Sequence, residues 1–372
     1  MRRTIWTLWI AGLTLKLVSS AWDVSWHFAL LRESISPPHV INLVGFVLIA
    51  LAFLLSWRAR TPTTQPALNV TLVGFAVFLV AIPFDEAWHR VFGIDITTWS
   101  PSHLMLFYGT TITIAGVVLL YLAEAGWRPG QRIGEARLAP GQWAALAVLL
   151  LFLYEAIAFP LSYNEYSAIG AWNYFHGFAL YTPGLELREY ASLIPDPYHG
   201  NLPHLLYPAY ALAAAVLFCV LVRQVTGVRG SALGIMTLYA LERAAANGLL
   251  HAAGWPTSAL PWYVILVGAA VEVAWLVAEG SAARLFTTLV LALAGAYGYW
   301  WEFGRDLATG APVVFTVPLD WSTLPWAALA AGAGFLAGQA LAQRLGPMVE
   351  WANRDPTPYA GATAEAWLTA RR

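Results

Sequence analysis

Apolar residues fall along this chain in long blocks, separated by short polar stretches rich in Pro, Gly, Arg and Trp. A helix needs about 20 mostly apolar residues to cross the hydrocarbon core of a bilayer. Ten windows meet that need: 4–22, 40–56, 68–84, 103–123, 142–160, 204–222, 231–251, 261–279, 284–302 and 323–343. They predict an all-α, polytopic membrane helical bundle of about ten transmembrane helices spanning 1–346, with a polar cytoplasmic tail at 347–372. The windows group into repeat-like helix pairs at 4–56, 68–123, 142–222, 231–279 and 284–343. Arg2 and Arg3 before an apolar run ending Ser19-Ser20-Ala21 have the look of a signal peptide. Lys16 interrupts that run, so a retained helix is expected.

Composition sharpens this picture. Of 372 residues, 59% are hydrophobic and 11% charged, against roughly 25% charged in soluble domains. A water-soluble enzyme and a disordered protein are excluded. A net charge of −1 leaves no basic surface for nucleic acid. The single cysteine, Cys219, excludes intrachain disulfides and thiolate metal clusters. The 19 Trp and 16 Tyr suit a chain with many membrane-interface positions, so the lipid bilayer is its expected partner.

Basic residues set the orientation. Arg2, Arg3, Arg58, Arg60, Arg128, Arg132, Arg137, Arg223, Arg229, Arg284 and the tail arginines fall on one side. Only Arg32, Arg90, Arg188 and Arg305 fall on the other, with Lys16 and Arg243 inside spans. Both termini are therefore expected in the cytoplasm of a bacterial-type inner membrane. The odd-numbered loops are expected outside, and the longest, about 161–203, as a cap on the membrane surface.

Those external loops carry a repeated pattern. The first reads Trp22-Asp23-x-x-Trp26-His27, followed by Ser36-Pro37-Pro38-His39. The third reads Asp85-x-x-Trp88-His89, followed by Ser100-Pro101-Ser102-His103. The duplicated unit is a helix pair bearing Asp-x-x-Trp-His, a short loop and Ser-Pro-x-His. Asp and His four apart share one helix face, and Pro at the next helix start fixes its first turn. A short antiparallel return brings the second His back towards the Asp. One carboxylate and two imidazoles make a three-donor site with an open position, suited to copper, zinc or iron. Asp23/His27/His39 and Asp85/His89/His103 are the expected metal ligands, with Glu86 or Asp95 available as a fourth donor.

The third loop resembles the C subunit of the copper-containing membrane monooxygenases, the particulate methane and ammonia monooxygenases. That subunit has Asp-x-x-Trp-His, an acidic loop, then Thr-Pro-Ser-His-Ile-Ile-Glu-Phe-Tyr. Here Asp85-x-x-Trp88-His89, Asp95 and Ser100-Pro101-Ser102-His103-Leu104-x-x-Phe107-Tyr108 correspond. The resemblance covers about 25 residues and implies copper at Asp85, His89 and His103. It also implies a second site of the form Asn-x3-His, to which Asn173, His176 and His204 form a distorted counterpart, with Asp196 and His199 inserted between. Leu106 stands where the family has Glu, and the family's cupredoxin-bearing subunit is not in this chain. Oxygen-dependent oxidation of a small apolar substrate would then call for partner subunits, a homo-oligomer or an electron donor.

In the second half, Arg243-x3-Asn247-x3-His251 lies on one face of the seventh window, and Glu272 lies mid-way along the eighth. An isolated charge there is costly, so Glu272 is expected to neutralise Arg243, with Asn247 and His251 in a supporting network; the alternative for these groups is a proton or substrate path. Glu155 and Glu302 sit near helix ends, where snorkelling accounts for them. The Ala/Gly-rich tenth window implies close helix packing, within the chain or against another subunit. The sequence thus favours a copper-binding membrane subunit for oxidation. Three alternatives stay open: a metal transport or handling protein, a non-catalytic subunit with structural metal, and a zinc hydrolase.

Overall fold

A computed structural model describes residues 2–30, 36–92, 98–127, 131–136, 138–162, 164–165, 202–309 and 320–353, with side chains outside 27–30, 89, 92, 202–205, 304–309 and 346–353. Ten α-helices and no strand occur among them: α1 (Arg2–Leu30), α2 (Pro37–Arg58), α3 (Gln65–Phe92), α4 (Pro101–Glu124), α5 (Pro140–Ala158), α6 (Leu202–Thr226), α7 (Ser231–Ala252), α8 (Tyr263–Val277), α9 (Ser281–Thr309) and α10 (Leu324–Asn353). Each of the ten apolar windows corresponds to one helix. Eight helices are long and apolar enough to cross a membrane. The expectation of about ten is thereby trimmed at α7 and α8. α7 carries Glu242, Arg243 and Asn247 and falls outside the eight. α8 has only 15 residues, about 22 Å of helix, because Gly254, Pro256 and Pro261 hold the preceding segment out of helical geometry.

The first two helix pairs are built alike. Ser36 caps α2 and Ser100 caps α4, each hydroxyl accepting from the backbone N–H of the His three residues on, with Pro in the first turn. Further along each pair, glycines let the two backbones meet. A Cβ on Gly12 would lie 2.6 Å from Ile49 Cγ1 and 2.9 Å from the Gly45 carbonyl oxygen. A Cβ on Gly74 would strike Thr113 and come within 2.8 Å of the Gly109 carbonyl oxygen. Gly12, Gly45 and Ile49 occupy the same places relative to Asp23 and His39 as Gly74, Gly109 and Thr113 do relative to Asp85 and His103. The duplication thus extends from the loop motif into the packing of the helices.

Downstream, α6 packs extensively against α10, α8 against α9, and α7 against α8. Gly338 of α10 sits where a Cβ would be 2.6 Å from the Leu217 carbonyl oxygen of α6. The small residues of the tenth window therefore pack within the chain. The two repeats join through Phe46, Phe75 and Phe78, with the Phe46 and Phe78 rings stacked at 5.2 Å. Alternating helix directions collect the Asp/His motifs, the far ends of α5, α7 and α9, and the starts of α6, α8 and α10 at one end of the bundle.

Candidate functional site

At that end, each repeat places its Asp against the capped His of the next helix. Asp23 Oδ1 of α1 lies 3.0 Å from His39 Nε2 of α2. Asp85 Oδ1 of α3 lies 3.4 Å from His103 Nε2 of α4. All four side chains are partly open, between 20% and 37% exposed, while the contacting Oδ1 atoms of Asp23 and Asp85 are themselves buried. The Ser cap fixes the helix start and the antiparallel return aims the imidazole at the carboxylate. The two pairs are separate: among the described residues, no three His, Cys, Asp or Glu gather where they could hold an ion. The backbones of His27 and His89 are helical and one turn beyond their Asp; their side chains lie outside the described residues.

The surroundings of the two pairs differ. Near Asp23, Trp22 and Trp26 meet Trp255, the Trp26 and Trp255 rings stacking at 5.0 Å. Trp255 is delivered by the end of α7, where Gly254 adopts φ +78°, a conformation open to glycine. The Gly254 and Trp255 N–H groups bond back to His251 and Leu250 carbonyls in a Schellman closure. Near His103, Phe107 packs on Phe159 at 4.5 Å, and Trp99 donates to Asn164 Oδ1 at 3.1 Å. Two turns below Asp23, the Lys16 ammonium donates to Asn42 Oδ1 at 2.7 Å and lies 4.5 Å from the centre of the Phe78 ring.

Glu86 is turned outward and pairs with Arg90 at 2.8 Å, so it is not placed as a further donor to the Asp85 pair. Asp95, Asn173, His176, Asp196 and His199 lie outside the described residues, as does the side chain of His204, near the start of α6.

The charged groups of the second half pair differently from the sequence expectation. Arg243 Nη1 binds Glu155 Oε1 at 3.1 Å, not Glu272. Glu272 binds Arg223 at 3.1 Å near the opposite end of the bundle and accepts from the Ala232 N–H at the start of α7. Glu155 does not snorkel; it is 6% exposed and Arg243 3%. The reason is register: Arg243 lies just past the middle of α7, level with Glu155 of α5, whereas Glu272, two-thirds of the way along antiparallel α8, is level with Ala232 at the start of α7. Asn247 and Arg243 converge on Ser258, with Asn247 Nδ2 donating to its carbonyl at 2.7 Å and Arg243 Nη2 to its hydroxyl at 3.2 Å. His251 is exposed and apart from this cluster. Glu165, which the sequence reading passed over, is buried beside it and accepts from the Tyr207 hydroxyl at 3.4 Å. Its signal in the sequence was an acidic residue close behind the apolar window 142–160.

No family model matches the chain, and comparison with curated proteins and with solved structures yields no match either.

Proposed function

We propose that the chain is a copper-binding integral membrane protein, a metal-bearing subunit for oxygen-dependent oxidation of a small apolar substrate. The observation that supports it most is the pair of Asp–His contacts, made twice, at equivalent positions, by the same caps and the same glycine crossing. Two donors bound about 2.0–2.1 Å from one ion at a tetrahedral angle lie about 3.3 Å apart. The 3.4 Å separation in the second repeat matches that spacing, and the 3.0 Å separation in the first is that of a direct hydrogen bond, which an ion would widen by about 0.3 Å. Imidazole and carboxylate donors without thiolate suit copper at an oxidising site, with zinc as the alternative occupant. Asp85 and His103, with His89 one turn on from Asp85, would hold one ion; Asp23 and His39, with His27, would hold another. Bound copper would supply one-electron and oxygen chemistry.

The residues of the chain supply position and access. The Ser caps hold His39 and His103 at the helix heads, each facing the carboxylate of the neighbouring helix. Among the described residues eight helices are fit to cross a membrane; an even number of crossings, whether α7 and the short α8 cross as a pair or not at all, leaves both termini on one side. Both termini are then cytoplasmic, the Asp/His end is external, and an apolar substrate enters from lipid. Electron supply calls for partner subunits or a donor.

Electron paramagnetic resonance of the copper(II)-loaded full chain tests the reading. Nitrogen coupling from imidazole is expected, weakened by His39→Ala and by His103→Ala. Copper spectra without nitrogen coupling, or unchanged in both variants, would overturn it.

A further inference from the structure

The Asp/His pairs leave unused a second polar centre at the same end of the bundle. Glu155 of α5, Glu165 just beyond it, and Arg243 of α7 share a pocket of protein with 9% exposure or less at every member of the surrounding polar set, Asn247 and Ser258 included. One guanidinium faces two carboxyl groups of 6% exposure or less, Glu155 and Glu165, with the half-buried carboxyl of the adjacent Glu242 beside them. Moving an unpaired carboxylate into such surroundings costs several kcal/mol, so only one of the two is balanced as an anion. Arg243 Nη1 takes Glu155 Oε1. The other Glu155 oxygen and Arg243 Nε are buried with no hydrogen-bond partner among the described residues. Among the described residues, the side-chain hydrogen bond of Glu165 is the one it accepts from the neutral Tyr207 hydroxyl.

We propose that Glu155, Glu165 and Arg243 form a proton-binding site, in which two buried carboxyl groups share one guanidinium and one exchangeable proton. The proton comes from water and sits on a Glu165 oxygen; its release leaves the Glu165 carboxylate, and no other bond changes. The groups facing the site are Tyr154 and Glu155 from α5, Tyr207 from α6, Tyr239, Glu242 and Arg243 from α7, and Tyr263 from α8. Burial pushes the Glu165 carboxyl up to about 7, with Glu155 adding to the rise and Arg243 and Tyr207 opposing it. This inference does not depend on a bound metal.

The site is tied to both repeats. Asn164, beside Glu165, accepts from Trp99, which precedes the cap of His103. Ser258, bonded to Arg243, lies two residues from Pro256, whose carbonyl accepts from Ser25 beside Asp23. A proton held here is within one loop of each Asp–His pair.

Infrared difference spectroscopy of the metal-free full chain, stepped from about pH 5 to about pH 9 in water and heavy water, reads this site. The expected result is a carboxylic-acid carbonyl band, sensitive to deuterium, that fades as pH rises through neutrality and is absent in Glu165→Gln. In Glu155→Gln, Arg243 is left to Glu165 and Glu242, so the band should fade at lower pH than in the wild type, and Glu242→Gln should leave the band in place; a band lost in Glu242→Gln and kept in Glu165→Gln would overturn the assignment. A wild-type chain without such a band near neutral pH, or a band unchanged in both variants, would overturn the assignment. Should Glu165→Gln not fold, the wild-type band and its shift in Glu155→Gln decide.

Discussion

The glycine crossing of the second repeat can be tested with one methyl group. A Cβ added at Gly109 would lie 2.7 Å from the Phe78 backbone nitrogen and 2.9 Å from Phe78 Cα. Ordinary van der Waals contact begins at 3.4 Å, so α3 and α4 must part by about 0.7 Å. The obstruction is backbone and cannot rotate away. Overpacking of this kind costs about 1–3 kcal/mol, against about 0.5–1 kcal/mol gained from replacing a helical Gly by Ala. Gly109→Ala should therefore be destabilised by about 1–2 kcal/mol. Gly248, exposed on α7 with nothing within 4 Å of a Cβ, provides the opposite sign: Gly248→Ala should gain up to about 1 kcal/mol. Thermal unfolding of both variants in one detergent, followed by tryptophan fluorescence, compares them directly. Gly109 lies six residues along α4 from His103, about 9 Å down the axis, so the separation also loosens the Asp85–His103 contact. A Gly109→Ala chain as stable as Gly248→Ala would refute the close crossing.

Three further outcomes follow from the polar contacts. Arg243→Gln leaves Glu155 and Glu165 without a cation and should cost about 3–5 kcal/mol, read as a lowered unfolding midpoint at neutral pH. Glu165 has an ordinary value of 4.5 and is raised to about 7, so between these values the folded chain holds more protons than the unfolded one. Stability should then fall as pH rises through that window, by up to about 3 kcal/mol, and level off above it; Glu165→Gln should flatten the profile, as unfolding midpoints across pH would reveal. Asn42→Leu removes the acceptor of Lys16 and should cost about 2 kcal/mol, while Lys16→Met with Asn42→Leu should recover most of it, a coupling that a double-mutant cycle measures.

The helices and the repeat were legible because both are local. Runs of apolar residues marked all ten helices, and Ser-Pro-x-His encodes a cap, a first turn and an imidazole within four residues. Capped starts and short loops also sufficed to bring His39 to Asp23 and His103 to Asp85. The pairing of Arg243 was not legible, since choosing Glu155 over Glu272 depends on which level of α7 meets which level of α5 and α8. Glu165 and Ser258 were missed for the same reason: Glu165 at the start of the longest loop and Ser258 in the short connection before α8 are ordinary in sequence and become polar core only when the helices close over them. Asn42 gave no warning either, because its partner Lys16 lies 26 residues away on the neighbouring helix.

The most direct test of the central claim is metal stoichiometry in the full chain after copper loading and removal of excess, by elemental mass spectrometry. Wild type, His39→Ala, His103→Ala and the double variant should be compared at equal protein. The account predicts two copper ions per chain, one in each single variant and none in the double variant. Zinc retained in place of copper would contradict the assignment of the metal, and equal metal content in all four chains would contradict the Asp–His pairs as its site.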